Sequence, residues 1–429
     1  MNLDAWLSYI QDLHPRDIEL GLARVKKVAN QLGLTRPARH IISVAGTNGK
    51  GSCVAFLETL LQAHDFRVGA YTSPHIQRFN ERICIAGKQC TDAELVDAFS
   101  CIEVARQSIP LTFFEFSTLA ALQIFEASNL DVVILEVGLG GRLDAVNIVD
   151  ADIVAITSIA LDHTDWLGNN LESIGREKAG ILRQQKPVVI GQAEMPGSVL
   201  DVAAELSSPI YQFGSEFGCQ LQEDKRWTCW VTAGDGTRWQ IKNVDEPSLQ
   251  INYAVSALQI LSIMNVSLSS EVVRRAVSQC RLVGRFEWIK SKPNEPRILL
   301  DVAHNTAAAS LLSQRLLPYL ESLQGRVHIV LAIMADKDTQ GFLQALDSIV
   351  DIWYIAQVDQ QRCLPAQQLA RSITKLDANN AIFIFDNVSA AFLSACKSAS
   401  GNDLILVTGS FYTVAEVHQI VSEGCPQPD

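Results

Sequence analysis

An apolar run, His40 to Ala45, passes directly into Gly46-Thr47-Asn48-Gly49-Lys50-Gly51-Ser52, and a helical pattern follows with Val54, Leu57, Leu60 and Leu61 on one face. Strand, glycine-rich turn and helix in this order commit the region to an α/β layer with the turn at the carboxyl end of a strand. Glycines let backbone N–H groups close around an anion, and the helix N-terminus adds partial positive charge. The stretch therefore reads as a phosphate-binding loop, with Lys50 placed to reach the β- and γ-phosphates of a nucleotide. Two positions depart from the strict pattern: Val44 stands where it has glycine, and Gly51 where it has Ser or Thr. A strand-to-helix turn that is glycine-rich for geometry alone is the competing reading. It leaves a lysine between two glycines at a helix start without a use.

Composition narrows what such a loop can serve. The 429 residues suffice for two domains; 48% are apolar and 19% charged, which fits a compact protein. A formal charge of −12 argues against nucleic-acid partners, so an anionic substrate has to be drawn in by local loops, metal ions and placed Arg or Lys. The ten cysteines are scattered without a CxxC pair, which disfavours zinc and thioredoxin-type chemistry. Met1 to His14 lacks a signal-peptide core, and no run approaches the ~18 apolar residues of a membrane span. A cytoplasmic protein with reduced thiols is expected.

Along the chain, Asp4 to Leu34 reads as two helices, and Arg67 to Tyr71 as a strand entering the polar stretch Thr72-Ser73-Pro74-His75. Ser73-Pro74 is equally readable as a plain turn. Thr91 to Gln107 is helical, and Leu111 to Phe116 begins a further helix. Its three phenylalanines suit a core, whereas Glu115 among them does not, because an unpaired buried carboxylate is costly. Val132 to Leu135 forms a buried strand ending in Glu136, where nucleotide-hydrolysing folds hold Mg²⁺ directly or through water. The strand Asp152 to Ser158 leads to Asp162 and His163, which would share the edge of Glu136 and Lys50. Arg176-Glu177-Lys178, in the helix Asn169 to Leu182, reads from its own pattern as a solvated face. Pro187 to Gly191 is another strand, Ile210 to Asn243 alternates as an antiparallel layer, and Asn252 to Met264 is an apolar helix. Pro293, Asn294 and Pro296 mark a linker. Beyond it strands at 297–302, 327–333, 352–356, 381–385 and 404–407 alternate with helices, and polar clusters follow three of them: Asp301 to Asn305, Met334 to Asp338 and Gly409 to Phe411.

The expected architecture is α/β. A P-loop ATPase domain with a mostly parallel sheet (1–290) and a linker (291–296) precede a smaller C-terminal Rossmann-like domain (297–429). Functional edges facing a shared cleft would let substrate from one domain meet nucleotide from the other.

With these residues assembled, the chain resembles bacterial folylpolyglutamate synthases, and most closely the bifunctional dihydrofolate synthase/folylpolyglutamate synthases of the muramyl-ligase superfamily. The resemblance runs from about Ile18 to Val417. It is carried by Gly46 to Ser52, Ser73-Pro74-His75, Glu136 to Asp144, Asp162-His163, Arg176 to Gly180, Asp301 to Asn305 and Gly409-Ser410-Phe411. The resemblance implies that Thr47, Asn48, Gly49, Lys50, Gly51 and Ser52 bind ATP together with Asn252, Arg285 and Asp301. It implies two Mg²⁺ sites with Ser73, Glu136 and His163 as ligands. Lys178, if carbamylated, would supply a further carboxylate, which replaces the solvated-face reading. Thr112, Phe113, Phe114 and Glu115, with Leu143, Asp144 and Ala145 and, more weakly, Glu19 and Leu20, would line a pterin site. His304 and Ser410 would bind glutamate, and His304 joins Lys50, His163 and Lys178 as catalytic. The implied activity is ATP-dependent addition of L-glutamate to dihydropteroate and to reduced folylglutamates through an acyl phosphate. Folylpolyglutamate synthase activity alone and a muramyl-type amino-acid ligase are the alternatives. Only 45 residues precede Gly46, too few for the extra sugar-nucleotide domain of muramyl-peptide ligases. Where the family has proline after His304-Asn305 this chain has Thr306, which can cap the next helix. Partners would be small molecules only, with no nucleic acid or membrane, and nothing demands more than a monomer.

Overall fold

The computed structural model of the chain describes all residues except 17, 291–293, 378–380 and 424–429. It divides into two compact units, one of residues 1–160 and 164–280, the other of 161–163 and 281–429.

The first unit is built on strands β1 (Ala38–Ala45), β2 (Val68–Tyr71), β3 (Ile83–Ile85), β4 (Lys88–Gln89), β5 (Leu130–Glu136), β6 (Ile153–Ile156), β7 (Val188–Ile190) and β8 (Ile210–Gln212). They form one eight-stranded sheet in the order β4-β3-β2-β5-β1-β6-β7-β8. Only the pairings β2–β3 and β3–β4 are antiparallel. Ile41, Ile42, Val44 and Val132 to Leu135 are all fully buried, the continuous apolar run expected of parallel strands covered on both faces. In register, Val44 pairs with Glu136 and Ala45 with Ile156. The turn after β1 therefore opens between the ends of β5 and β6, where the strand order switches direction.

A three-stranded antiparallel sheet follows, from β9 (Gly218–Leu221), β10 (Trp227–Thr232) and β11 (Arg238–Val244), with β10 in the middle. This trims the expected 210–243 layer: Ile210–Gln212 joins β7 in parallel as the last strand of the large sheet. The short edge strand is captured there because its carbonyl neighbours on β7 would otherwise lack partners. The helix Ile251–Ile263 packs on the antiparallel layer, and its Gln259 side chain bonds both the N–H and the carbonyl of Thr232 at 2.9 and 2.6 Å.

The second unit holds β12 (Glu287–Ile289), β13 (Arg297–Leu300), β14 (Val327–Leu331), β15 (Ile352–Ile355), β16 (Ala381–Ile384) and β17 (Leu404–Thr408), in the order β12-β13-β17-β14-β15-β16. All pair in parallel except β12, which lies antiparallel on β13. That pairing draws residues 281–290 into this unit. The segment expected as a domain linker, 291–296, instead connects two neighbouring strands of one sheet, with 291–293 outside the described residues. Among the described residues four helices fill the connections and a fifth follows β17; the helix Thr306–Leu320 carries Pro318 in its last turn. Its N-cap is Asn305, whose side chain accepts from the Ala308 N–H at 2.9 Å. Thr306 is the first helical residue and its hydroxyl donates to Asp338 at 2.8 Å, so the expected threonine cap is corrected. No helix among the described residues is long and apolar enough to cross a membrane.

Candidate functional site

The loop after β1 is held from outside itself. Thr47 N–H donates to the Ser158 carbonyl at 2.7 Å, and Ala160 N–H to the Thr47 hydroxyl at 3.0 Å. The Asn48 carbonyl accepts from the hydroxyls of Thr157 (2.7 Å) and Ser158 (3.1 Å). The end of β6 thus fixes the loop before any ligand arrives, which is what electrostatic preorganisation requires. Gly49 begins the helix Lys50–Gln62 from a left-handed conformation, φ 81°, and a side chain there would place its Cβ 2.0 Å from the Tyr253 ring. Glycine is demanded twice, by the backbone and by the aromatic lid.

Two lysines converge on one carbonyl. Lys50 Nζ donates to Gly46 O at 3.1 Å and Thr47 O at 3.2 Å, and Lys178 Nζ donates to Gly46 O at 2.9 Å. Lys178 is 5% exposed, so its buried position overturns the solvated-face reading. Its helix, Leu171–Ala179, comes close because Gly141 has no side chain: a Cβ there would meet the Lys178 carbonyl at 2.8 Å.

Beside the loop, Ser73 and Glu136 lie at the ends of neighbouring strands, and the Ser73 N–H donates to Glu136 Oε2 at 3.1 Å. A hydroxyl and a carboxylate are hard oxygen donors that suit Mg²⁺. Among the described residues no group of three or more His, Cys, Asp or Glu side chains is arranged to hold a metal.

The residues expected around a pterin come together. Thr112 caps the helix Phe113–Glu126, and Glu115 closes a capping box on it. Glu115 Oε2 also accepts from Arg24 Nε at 2.8 Å, and Arg24 reaches Glu19 with its other nitrogens. Gly21 N–H meets the Leu143 carbonyl at 3.4 Å, tying the Glu19-Leu20 segment to Leu143 and Asp144. Of the three phenylalanines, Phe116 is core, whereas Phe113 and Phe114 are partly exposed. Arg82 lies over the Phe113 ring, 5.4 Å from its centre, and donates to His75 Nδ1 at 2.8 Å. Burial, then the Arg82 charge, push His75 down to about 4, leaving the imidazole neutral.

Arg24 was not foreseen, because a charged residue on an amphipathic helix reads as solvent-facing. Arg24→Ala should cost about 3 kcal/mol of stability by stranding the Glu115 carboxylate, and Glu115→Gln in the same chain should restore part of it. Chemical denaturation of the single and double variants checks this.

Asp144 is buried and caps the short helix Ala145–Ile148. Its carboxylate accepts from the N–H groups of Val146 at 3.0 Å and Leu139 at 2.8 Å. Burial raises its pKa to about 6 in spite of those bonds and of Lys50. The folded state then holds a proton that the unfolded chain releases near pH 4. Stability from this group is present below about pH 4 and is lost as pH rises through 6, by about 3 kcal/mol. Asp144→Asn should flatten the fall in unfolding free energy across that window, measured by denaturation at several pH values.

The second unit gathers the remaining candidates. Asp301 Oδ2 accepts from Phe286 N–H at 2.8 Å and Oδ1 from Ala303 N–H at 2.9 Å. Burial raises its pKa against the opposing charge of Arg285. Arg285 lies over the Phe411 ring at 4.7 Å. His304 Nδ1 is 2.8 Å from the Val302 carbonyl, and its Nε2 is 3.6 Å from Asp162 Oδ2. The Ser410 hydroxyl is engaged as an N-cap, 3.0 Å from the Thr413 N–H. Lys337, within a polar cluster to which no role had been attached, donates to Asp162 Oδ1 at 2.7 Å while 7% exposed. Burial works to raise the Asp162 pKa, but the His304 hydrogen bond and the His163 and Lys337 charges hold it well below the usual range. His163 follows in a left-handed conformation, φ 50°. Asn252 lies in the first unit, one residue into the helix that carries Tyr253.

Two family models match the chain, the Mur ligase middle domain over residues 44–256 and the Mur ligase, glutamate ligase domain over 284–411. The chain is 42% identical to the dihydrofolate synthase/folylpolyglutamate synthase of Escherichia coli, covering 98% of this chain and 95% of the relative. It is 38% identical to that of Haemophilus influenzae, over 98% and 97%. Among solved structures, E. coli FolC in complex with DHPP and ADP superposes with TM-score 0.91 at 42% identity, covering 99% and 98%. The bifunctional folylpolyglutamate synthase/dihydrofolate synthase with Mn, AMPPNP and L-glutamate bound superposes with TM-score 0.89 at 44% identity, covering 98% of each chain.

Proposed function

Because the chain belongs to the dihydrofolate synthase/folylpolyglutamate synthases of the Mur ligase family, we propose that it joins L-glutamate to dihydropteroate, forming dihydrofolate, and to the γ-carboxyl of reduced folylglutamates, at the expense of ATP. The observation that carries this reading is the cluster at the carboxyl ends of β1, β2 and β5: a preorganised phosphate loop, Lys50, Ser73 and Glu136 in one place.

A substrate carboxylate oxygen attacks the γ-phosphorus of ATP, ADP leaves, and an acyl phosphate results. The glutamate amine then attacks the acyl carbon, and phosphate leaves from the tetrahedral intermediate. Neither step needs a protein nucleophile; both need positioning and charge compensation. Residues Thr47 to Ser52, with the loop N–H groups from Gly49 onward and the Lys50 ammonium, hold the phosphates, while Asn252, Arg285 and Asp301 contact the nucleotide. Glu19, Leu20, Thr112 to Glu115 and Leu143 to Ala145 seat the pterin, and His304 and Ser410 the glutamate. A divalent metal, which we take to be Mg²⁺ at two sites held by Ser73, Glu136, His163 and a carbamylated Lys178, would screen the charges of carboxylate and triphosphate from each other. Carbamylation leaves one N–H on Lys178 Nζ, enough to keep its bond to Gly46. A net charge of −12 supports the absence of a nucleic-acid partner, and we place the enzyme in the cytoplasm as a monomer.

The test is phosphate release from ATP by purified protein. Release should require glutamate together with either dihydropteroate or a reduced folylglutamate. Release that ignores both co-substrates overturns the ligase reading, and release with the folylglutamate alone restricts it to chain extension.

A further inference from the structure

Cys219 on β9 and Cys229 on β10 stand directly opposite each other in the antiparallel layer. The register runs Leu221 to Trp227, Gln220 to Thr228, Cys219 to Cys229 and Gly218 to Trp230 without a bulge. One step beyond it, the Gln222 N–H donates to the Arg226 carbonyl at 2.8 Å. Hydrogen-bonded and non-hydrogen-bonded pairs alternate along an antiparallel ladder, so counting inward from 222 and 226 makes Cys219 and Cys229 a non-hydrogen-bonded pair. In that type the Cα atoms approach to about 4.5 Å and the side chains leave the same face, within the roughly 4.4–6.8 Å that a disulfide spans. No such pairing is found for the hairpin cysteine Cys84, whose register partner is Gln89.

Accessibility is graded across the pair. Cys229 is 1% exposed, whereas Cys219 is only partly buried. Both are free thiols in this structure; Cys425 lies outside the described residues.

We propose that Cys219 and Cys229 form a reversible dithiol–disulfide modification site, oxidised by low-molecular-weight disulfides. The Cys219 thiolate attacks one sulfur of the small disulfide, that S–S bond breaks, and one small thiol leaves. Cys229, deprotonated in turn, attacks the Cys219 sulfur, the mixed disulfide breaks, and the second small thiol leaves. Two protein thiols and one small disulfide thus become one protein disulfide and two small thiols. Burial, reinforced by the Glu246 carboxylate, pushes the Cys219 thiol up to about 12, and burial raises Cys229 too. Exchange is therefore slow at neutral pH and quickens as pH rises. The bond staples two strands beneath the helix Ile251–Ile263, so the oxidised protein should unfold at a higher temperature.

The experiment incubates the full chain with oxidised glutathione at mildly alkaline pH, alkylates remaining thiols in denaturant and maps peptides by mass spectrometry. The expected result is a Cys219–Cys229 cross-linked peptide pair, loss of alkylation at both Cys219 and Cys229, reversal by dithiothreitol and a raised Tm. In Cys229→Ser, Cys219 should remain as a glutathione adduct. Exposed Cys101 reports that the oxidant acted. Cys101 modified while Cys219 and Cys229 stay fully alkylatable overturns the proposal, as does Cys219 persisting as a stable adduct in the parent chain.

Discussion

Lys50→Ala is expected to lower kcat by about 10³-fold or more while leaving the fold intact. The lysine arches over its own loop, donating to the Gly46 and Thr47 carbonyls, so its ammonium lies over the loop that, on the proposed reading, holds the phosphates. The loop does not depend on it for shape. Thr157, Ser158 and Ala160 hold Thr47 and Asn48 through bonds that survive the substitution. Glutamate-dependent phosphate release should therefore vanish, with circular dichroism and Tm close to the parent. Retained turnover would mean that the loop is only a turn.

Lys178→Ala is expected to reduce kcat by about 10²-fold, with partial recovery on adding formate or acetate. Lys178 shares the Gly46 carbonyl with Lys50, but it arrives from a distant helix and is nearly sealed from solvent. A small carboxylate entering the vacated space replaces the charge of a carbamate, not that of an ammonium. Rescue thus identifies the carbamate. Lost activity without rescue assigns Lys178 to holding the loop instead, and full activity without any addition removes it from the site.

What was legible in the sequence was local or periodic. The strand, loop and helix around Gly46 to Leu61 follow one another in the chain, and their apolar spacing alone specifies them. The polar ends of β1, β2, β5 and β6 could be collected because parallel strands all point one way, so their carboxyl ends share an edge. Glu115 was recognisable as an anomaly, since a carboxylate among phenylalanines demands a partner. The partner was not recognisable. Arg24 lies 91 positions earlier, and nothing in a helix's own pattern says that one of its cations turns inward.

The same division holds elsewhere. The sequence by itself determined the two α/β layers, the phosphate loop and the residues at strand ends, because backbone geometry and burial periodicity act over a few residues. Only the tertiary structure decided that Ile210–Gln212 joins the large sheet, that Glu287–Ile289 belongs with β13, that Tyr253 covers Gly49 and that Lys337 meets Asp162. Each depends on contacts between segments far apart in the chain. Such contacts form where an edge strand, an aromatic face or a buried charge would otherwise be left unsatisfied, and that requirement appears only once the surrounding elements have packed.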